Sequence, residues 1–124
     1  MLMYEELSHE ILAACIEVHR ELGPGLLESA YEECLCRELS LRSVAFRRQE
    51  PLPVAYKGIR LDCGYRMDIV VDGKILLEIK SVEAVHALHE AQLMTYLRLS
   101  GLRVGLPINF NVTVLKDGVI RRVR

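Results

Sequence analysis

Residues 65–80 read YRMDIVVDGKILLEIK, and this stretch decides the fold. Two aliphatic runs flank the dipeptide Asp72-Gly73, a pair typical of the turn between two strands. The stretch therefore predicts a β-hairpin with strands Tyr65–Val71 and Leu76–Lys80. The side chains that we expect to point into the core are Ile75, Leu77 and Ile79.

Three charged residues interrupt the aliphatic pattern of the hairpin, namely Asp68, Glu78 and Lys80. Mg²⁺ takes oxygen ligands and usually one or two carboxylates, and water and substrate phosphate complete its shell. Lys80 lies two residues beyond Glu78 and therefore projects from the same strand face. A lysine there can orient an attacking water or offset charge on a phosphorane. The residue types predict a Mg²⁺ or Mn²⁺ site for phosphodiester hydrolysis.

The register of the hairpin decides whether the two carboxylates meet. A two-residue turn at Asp72-Gly73 would pair Asp68 with Leu77 and place Asp68 on the face opposite Glu78. A three-residue loop, or a bulge, returns both acids to one face. Facing like charges destabilise a sheet by a few tenths to about 1 kcal/mol, and a bound cation compensates them. We therefore predict an odd-numbered loop or a bulge.

Length and composition set the frame of the protein. A chain of 124 residues predicts one domain, residues 1–124, with a core of Leu, Ile and Val because Trp is absent. The four cysteines lack the paired spacing of a zinc site and are typical of reduced cytosolic thiols. Segment 1–6 is acidic rather than basic, and no apolar stretch approaches the roughly twenty residues of a membrane helix. We expect a cytoplasmic protein with no membrane partner.

The charge balance is not typical of a protein that grips duplex nucleic acid alone, because the net charge is −1. Basic residues do cluster in the middle and at the end of the chain: Arg42, Arg47, Arg48, Lys57, Arg60, Arg66, Arg121, Arg122 and Arg124. Charged side chains normally stay solvated, so these clusters permit nucleic-acid binding without indicating it. A small domain that needs a wider grip would form a homodimer or use an accessory protein.

The remaining pattern predicts the order helix, helix, strands, helix, strands. The first helix has an apolar stripe over Leu7–Leu22 and ends at Gly23-Pro24-Gly25, and the second runs over Leu26–Leu41. The third runs over His86–Leu99 and is capped by Gly101. The predicted strands outside the hairpin are Ala45–Gln49, Leu52–Tyr56, Ile59–Leu61, Val104–Phe110, Val112–Leu115 and Val119–Val123. This order predicts an α+β (α/β) fold with a mixed central sheet flanked by helices.

Prolines interrupt the regular strand pattern at two places in the sequence. Pro51 and Pro53 predict that the strand beside them lies at an edge or enters one. Pro107 and Asn111 interrupt the strand predicted over Val104–Phe110, and a proline cannot donate to a ladder. The pairing of that strand is therefore left open.

The segment Gly25-Leu-Leu-Glu28-Ser-Ala-Tyr31 resembles the Gly-x-x-Glu-x-x-Tyr signature of the GxxExxY protein family, part of the PD-(D/E)XK nuclease-like superfamily. The resemblance extends from about Leu7 to the C-terminus. It includes the segments Leu61–Arg66, His89–Gln92 and Gly101–Gly105. The resemblance implies a restriction-endonuclease-like core.

The resemblance also implies roles for particular positions. It assigns metal binding to Asp68, Glu78 and the backbone carbonyl of Ile79. It implies that Lys80 assists the attacking water. It brings Glu28 to the metal directly or through water. Gln92 and Tyr96 are similar to the Gln-x-x-x-Tyr element of RecB-like nucleases and share a helix face, and Tyr31 closes the signature as a supporting residue.

Other interpretations remain open for these residues. Glu28 is also an acid that the macrodipole favours at a helix N-terminus, and Tyr31 and Tyr96 also suit packed aromatics at the core edge. Two functions follow: a Mg²⁺-dependent nuclease, or a non-catalytic module of nuclease-like fold that binds nucleic acid or a protein. The acid, acid and lysine set favours the nuclease, with DNA favoured over RNA as substrate.

Overall fold

The chain forms helices on both faces of a mixed sheet in a computed structural model that describes residues 3–124. The first two residues of the acidic N-terminal segment lie outside the described residues. The helices are α1 (Glu5–Leu22), α2 (Glu28–Leu41) and α3 (Ala87–Ser100). The strands are β1 (Phe46–Pro51), β2 (Val54–Tyr56), β3 (Ile59–Leu61), β4 (Arg66–Val71), β5 (Ile75–Lys80), β6 (Val104–Asn109) and β7 (Arg122–Val123).

The main sheet has the strand order β1-β4-β5-β6-β7. The pairs β1/β4, β4/β5 and β6/β7 are antiparallel, whereas β5/β6 is parallel and is connected through α3. Strands β2 and β3 form a separate two-stranded hairpin. The prediction of a mixed sheet flanked by helices is confirmed, and β1, which ends at Pro51, lies at the sheet edge as the prolines predicted.

Strand β5 is buried on both faces and lies at the centre of the molecule. Ile75, Leu77 and Ile79 point into the core, as predicted, and pack toward α1 and α2, whereas Leu76 packs with Leu93 of α3. Helix α3 approaches β6 closely at a glycine, because a Cβ at Gly105 would lie 3.0 Å from Leu93 Cδ1. Burial on both sides makes β5 a rigid support for the charged residues at its end.

The hairpin loop between β4 and β5 has three residues, as the facing carboxylates required. Val71 pairs with Ile75, so residues 72–74 form the loop. Asp72 and Gly73 have φ values of 52° and 64°, and the N–H of Lys74 donates to Val71 O at 2.9 Å. Lys74 is therefore the extra residue after a tight turn, and the prediction of an odd-numbered loop is confirmed.

Two predictions at the C-terminal end of the sheet are wrong. No strand forms over Val112–Leu115, where a 3₁₀ helix begins (Leu115–Gly118), because backbone groups there bond to side chains. Val112 O accepts from His19 Nε2 at 2.8 Å, and Asn111 N donates to Asn109 Oδ1 at 3.1 Å. The strand predicted over Val119–Val123 is reduced to β7 and an isolated bridge.

Pro107 does not interrupt the pairing of β5 with β6, which extends from Val104 to Asn109. Its carbonyl accepts from Ile120 N at 3.3 Å, on the side of β7. The N and C=O of one strand residue face the same neighbour. The missing N–H of Pro107 therefore faces β7, which does not pair at this level.

The four cysteines are free, as predicted. Burial raises the pKa of Cys15 to about 12 and that of Cys36 to about 11, which keeps both thiols protonated and unreactive. Within the described residues, no helix is both long and apolar enough to span a bilayer.

Candidate active site

Asp68 and Glu78 meet where the β4/β5 ladder ends. The last backbone pair is Ile69 with Leu77, and the same register continued by one residue places Asp68 opposite Glu78. Beyond that pair, the N–H of Ile79 donates to Asp68 Oδ2 at 2.8 Å. The Asp68 carboxylate therefore takes a backbone bond and is held against β5.

Glu78 is a buried acid with a strongly raised pKa. Its residue is only 9 % exposed, and its Oε1 atom has no hydrogen-bond partner within the described part of the chain. Burial, then the negative charge of Asp68 and a hydrogen bond with its carboxyl group, raise the pKa of Glu78 to about 9, whereas Lys80 lowers it. A proton on one acid or a bound cation reduces the repulsion between the two carboxylates.

The two acids fit a divalent cation with few protein ligands. Glu78 offers a buried oxygen without a partner, and Asp68 Oδ2 is committed to Ile79 N, which leaves its second oxygen for a ligand. No three His, Cys, Asp or Glu side chains of residues 3–124 form a metal-holding group. Two carboxylates with a carbonyl and water are the ligand set that Mg²⁺ prefers.

Lys80 ends strand β5 beside this pair. Alternation along the strand gives it the face of Glu78, and its charge lowers the pKa of that acid. It is half-buried and forms no ion pair within residues 3–124. The backbone at Lys80 is fixed, because its carbonyl accepts from Phe110 N at 2.9 Å.

Glu28 lies near the end of β5 but contacts the backbone there. It is the first residue of α2, and its Oε2 atom accepts from Ser81 N at 3.1 Å. The Ser81 hydroxyl in turn donates to Leu26 O at 2.6 Å. The observed contact of Glu28 therefore ties α2 to the residue after Lys80, and Glu28 does not join the two carboxylates in one group.

Tyr31 is a core residue that holds the loop before α2. Its side chain is fully buried, and its ring stacks on Phe110 with a centroid separation of 4.5 Å. Its hydroxyl donates to Gly23 O at 2.6 Å and accepts from Leu26 N at 3.1 Å. Tyr31 therefore influences the site through this loop and Glu28, which supports the interpretation as a packed aromatic.

Gln92 and Tyr96 form a pair on α3, on the sheet face that carries Glu78. Gln92 Nε2 donates to Tyr96 Oη at 3.1 Å, which confirms that the two share a helix face. Tyr96 is buried and packs with Leu76 of β5. The hydrogen bond of Gln92 goes to Tyr96 rather than to an acid of the site.

Sequence reasoning missed Asn109, which holds the chain after Lys80. It is 4 % exposed and pairs with Lys80 in the β5/β6 ladder. Its side chain accepts from Val82 N at 3.1 Å and donates to Val82 O at 2.9 Å. The signal in the sequence is an amide inside an otherwise apolar strand.

Sequence reasoning also missed a local distortion of β1 beside Asp68. Gln49 falls opposite Asp68 in the register but does not pair, and its φ is 52°. The successive side chains of Arg48 and Gln49 both donate to buried Glu32, at 2.6 and 2.9 Å, which strand alternation forbids. The positive φ of Gln49 interrupts the β1/β4 pairing at the level of Asp68 without shifting the register on either side.

Comparison with known proteins agrees with this geometry. A family model described as the PD-(D/E)XK nuclease superfamily matches residues 5–123, which is nearly the whole chain. Neither the curated proteins nor the solved structures gave a significant match. The mixed five-stranded sheet with helices on both faces is consistent with the restriction-endonuclease-like fold of that superfamily. The chain therefore belongs to the PD-(D/E)XK nuclease superfamily.

Proposed function

We propose that this chain is a metal-dependent nuclease of the GxxExxY family that hydrolyses phosphodiester bonds. The observation that carries the proposal is the buried Glu78 opposite Asp68, with a carboxylate oxygen that has no partner in the described structure. Such a pair is unfavourable when both acids are ionised, and a bound cation offsets the two charges. Membership of the superfamily and the adjacent Lys80 support the same function.

The residues divide into metal ligands and groups that act on substrate. Asp68, Glu78 and the backbone carbonyl of Ile79 would hold Mg²⁺ or Mn²⁺. The ion supplies Lewis-acid polarisation of the phosphoryl group and offsets its charge. Lys80 orients the attacking water and stabilises negative charge on the phosphoryl oxygens.

The hydrolysis is an in-line displacement at phosphorus. The water oxygen forms the new bond to phosphorus as the bond from phosphorus to the leaving sugar oxygen breaks. One proton of the water reaches the leaving oxygen through solvent, and the other stays on the new phosphate group or passes to solvent. Glu28, with Tyr31 behind it, would reach the centre through a water molecule, because its carboxylate binds Ser81 N next to Lys80. Gln92 and Tyr96 would position nucleic acid on the same face, with DNA favoured over RNA.

Two observations favour a second function. Only two acids converge at the site among the described residues, and the net charge of the chain is −1. Both features suit a non-catalytic module that binds nucleic acid or a protein. Calorimetric titration with Mg²⁺ and Mn²⁺ separates the two, because a module without a metal centre gives no binding heat.

Cleavage assays test the nuclease directly. Plasmid, linear duplex, single-stranded DNA and RNA are incubated with the protein and Mg²⁺ or Mn²⁺. We expect cleavage by the wild type and by Lys116→Ala, whose lysine is exposed on the 3₁₀ helix. We expect none by Lys80→Ala or Asp68→Asn. Activity that survives in both of these variants would refute the mechanism.

A further inference from the structure

An apolar cleft opens beside the candidate site, between α3 and the β2/β3 hairpin. We call it the tyrosine cleft, and its volume is about 530 Å³. Its lining includes Val54, Tyr65, Leu88, Gln92 and Tyr96. Tyr65 is 46 % exposed and Leu88 is 78 % exposed, so the cleft presents large apolar side chains to solvent.

The cleft lies close to the two carboxylates. Tyr65 precedes Asp68 by three residues, which span about 10 Å in an extended chain. The ring of Tyr65 meets that of Tyr96 edge-on, with a centroid separation of 6.1 Å. Tyr96 packs in turn on Leu76, two residues before Glu78 on the same strand face. A polymer bound at the site therefore passes the cleft within one or two monomers.

The chemistry of the cleft suits a nucleobase. Aromatic side chains stack on unpaired bases of any sequence, and this stacking contributes about 1–3 kcal/mol per base. Leu88 and Val54 supply an apolar rim. The amide of Gln92 donates one N–H to Tyr96. Its second N–H and its carbonyl oxygen can form hydrogen bonds with the edge of a base.

The charge of the segment that borders the cleft favours a nucleic acid over a protein or a second copy of the chain. Segment 54–66 carries three basic side chains, Lys57, Arg60 and Arg66, and one acid, Asp62, although the whole chain has a net charge of −1. Arg66 pairs with Asp62 at 3.6 Å, so the excess positive charge is that of Lys57 and Arg60. The ammonium of Lys57 lies 5.3 Å from the centre of the exposed Tyr56 ring. Positive charge interleaved with exposed tyrosines is the arrangement that tracks a single-stranded backbone.

We propose that the tyrosine cleft stacks an unpaired nucleobase on Tyr65, so that the substrate is a single strand or an unpaired end of nucleic acid. The proposal rests on the proposed function, since it names the substrate class of the same site. A base inside a duplex is stacked and cannot enter such a cleft unless it leaves the helix. The hairpin residues Lys57 and Arg60 hold the flanking phosphates.

Binding without metal tests the cleft separately from catalysis. Fluorescence anisotropy is measured in EDTA with a fluorescein-labelled oligothymidylate and with the same strand in a duplex with oligoadenylate. We expect Tyr65→Ala to weaken single-strand binding by at least about fivefold, which corresponds to about 1 kcal/mol of lost stacking. Tyr65→Phe keeps the ring and should bind as the wild type does. Leu88→Ala should weaken binding, whereas the control Leu41→Ala, an exposed leucine on α2, should not.

Every outcome decides the proposal. The proposal would be overturned if Tyr65→Ala bound the single strand as tightly as the wild type does. It would also be overturned if this variant lost affinity for the single strand and the duplex equally, or if the wild type bound no nucleic acid. A dimer in sedimentation that Leu88→Ala dissociates would assign the cleft to a second copy instead. Thermal melts of each variant exclude unfolding as the cause. If the protein cleaves duplex and Tyr65→Ala binds the single strand as the wild type does, only the proposal for the cleft is refuted. If Tyr65→Ala weakens single-strand binding and the wild type cleaves nothing, only the proposed nuclease activity is refuted.

Discussion

The substitution Glu78→Gln should stabilise the metal-free protein at neutral and alkaline pH. Glutamine keeps the shape of the side chain and cannot ionise, so it never places a charge opposite Asp68. Burial and the Asp68 charge raise the pKa of Glu78 from 4.5 to about 9 in the folded protein. The folded state therefore binds a proton that the unfolded state has already released between these pH values.

The sign and size of the effect follow from this difference. Stability from the protonated Glu78 is fully present below about pH 4.5 and is lost as pH rises toward about 9. One pH unit across this window corresponds to about 1.4 kcal/mol for one proton. At about pH 7 the wild type should have lost up to about 3 kcal/mol, and the glutamine variant should have lost none of it.

Urea unfolding in EDTA measures this prediction at several pH values. The free energy of unfolding of Glu78→Gln should exceed that of the wild type by a margin that grows with pH. Exposed Glu83→Gln is the matched control and should follow the wild type. Added Mg²⁺ should stabilise the wild type, more strongly at higher pH because binding displaces the proton, and should leave Glu78→Gln nearly unchanged. Parallel pH curves for the wild type and Glu78→Gln would refute the assignment of a strained buried acid.

Three further predictions concern the parts that hold the site in place. Asn109→Ala leaves three partly buried backbone groups without their side-chain partner, namely the N–H and C=O of Val82 and the N–H of Asn111, and should lower the free energy of unfolding by about 1–3 kcal/mol in urea, whereas Asn111→Ala should change it little. Tyr31→Phe keeps the stacked ring and loses the hydroxyl bonds, so differential scanning calorimetry should show about 1 kcal/mol of destabilisation; an unchanged melting temperature would contradict the proposed role. Deleting Lys74 should turn Asp68 to the other face and abolish metal binding by calorimetry, while Lys74→Ala should retain it.

The parts of the fold that the sequence predicted depend on local pattern. Aliphatic runs around Asp72-Gly73 identify the hairpin, and the stop at Gly23 identifies the end of α1. The three-residue loop followed from a physical requirement, because the simplest turn would separate Asp68 from Glu78. Both inferences need only residues close together in the chain.

The parts that the sequence did not predict depend on contacts between distant segments. Val112–Leu115 has strand composition, but its backbone bonds to His19 of α1, 93 residues away. Whether Pro107 breaks a ladder depends on which neighbour its nitrogen faces, and this is known only from the strand order. The role of Asn109 likewise requires β6 to lie beside β5. Pattern within a segment does not contain these pairings.

The site lies at the point where backbone pairing gives way to side-chain bonding. Past Leu77, β5 is tied to β4 by the Asp68 carboxylate, and the chain after Lys80 is tied by Glu28 and Asn109. A strand held in this way keeps its position after the β4/β5 ladder ends, while its pairing with β6 continues to Lys80. Since the same Asp68 carboxylate both ends the ladder and faces Glu78, losing its charge should affect the local structure and the metal affinity together. Asp68→Asn should therefore lower metal affinity more than Lys80→Ala does, because only Asp68 serves in both roles.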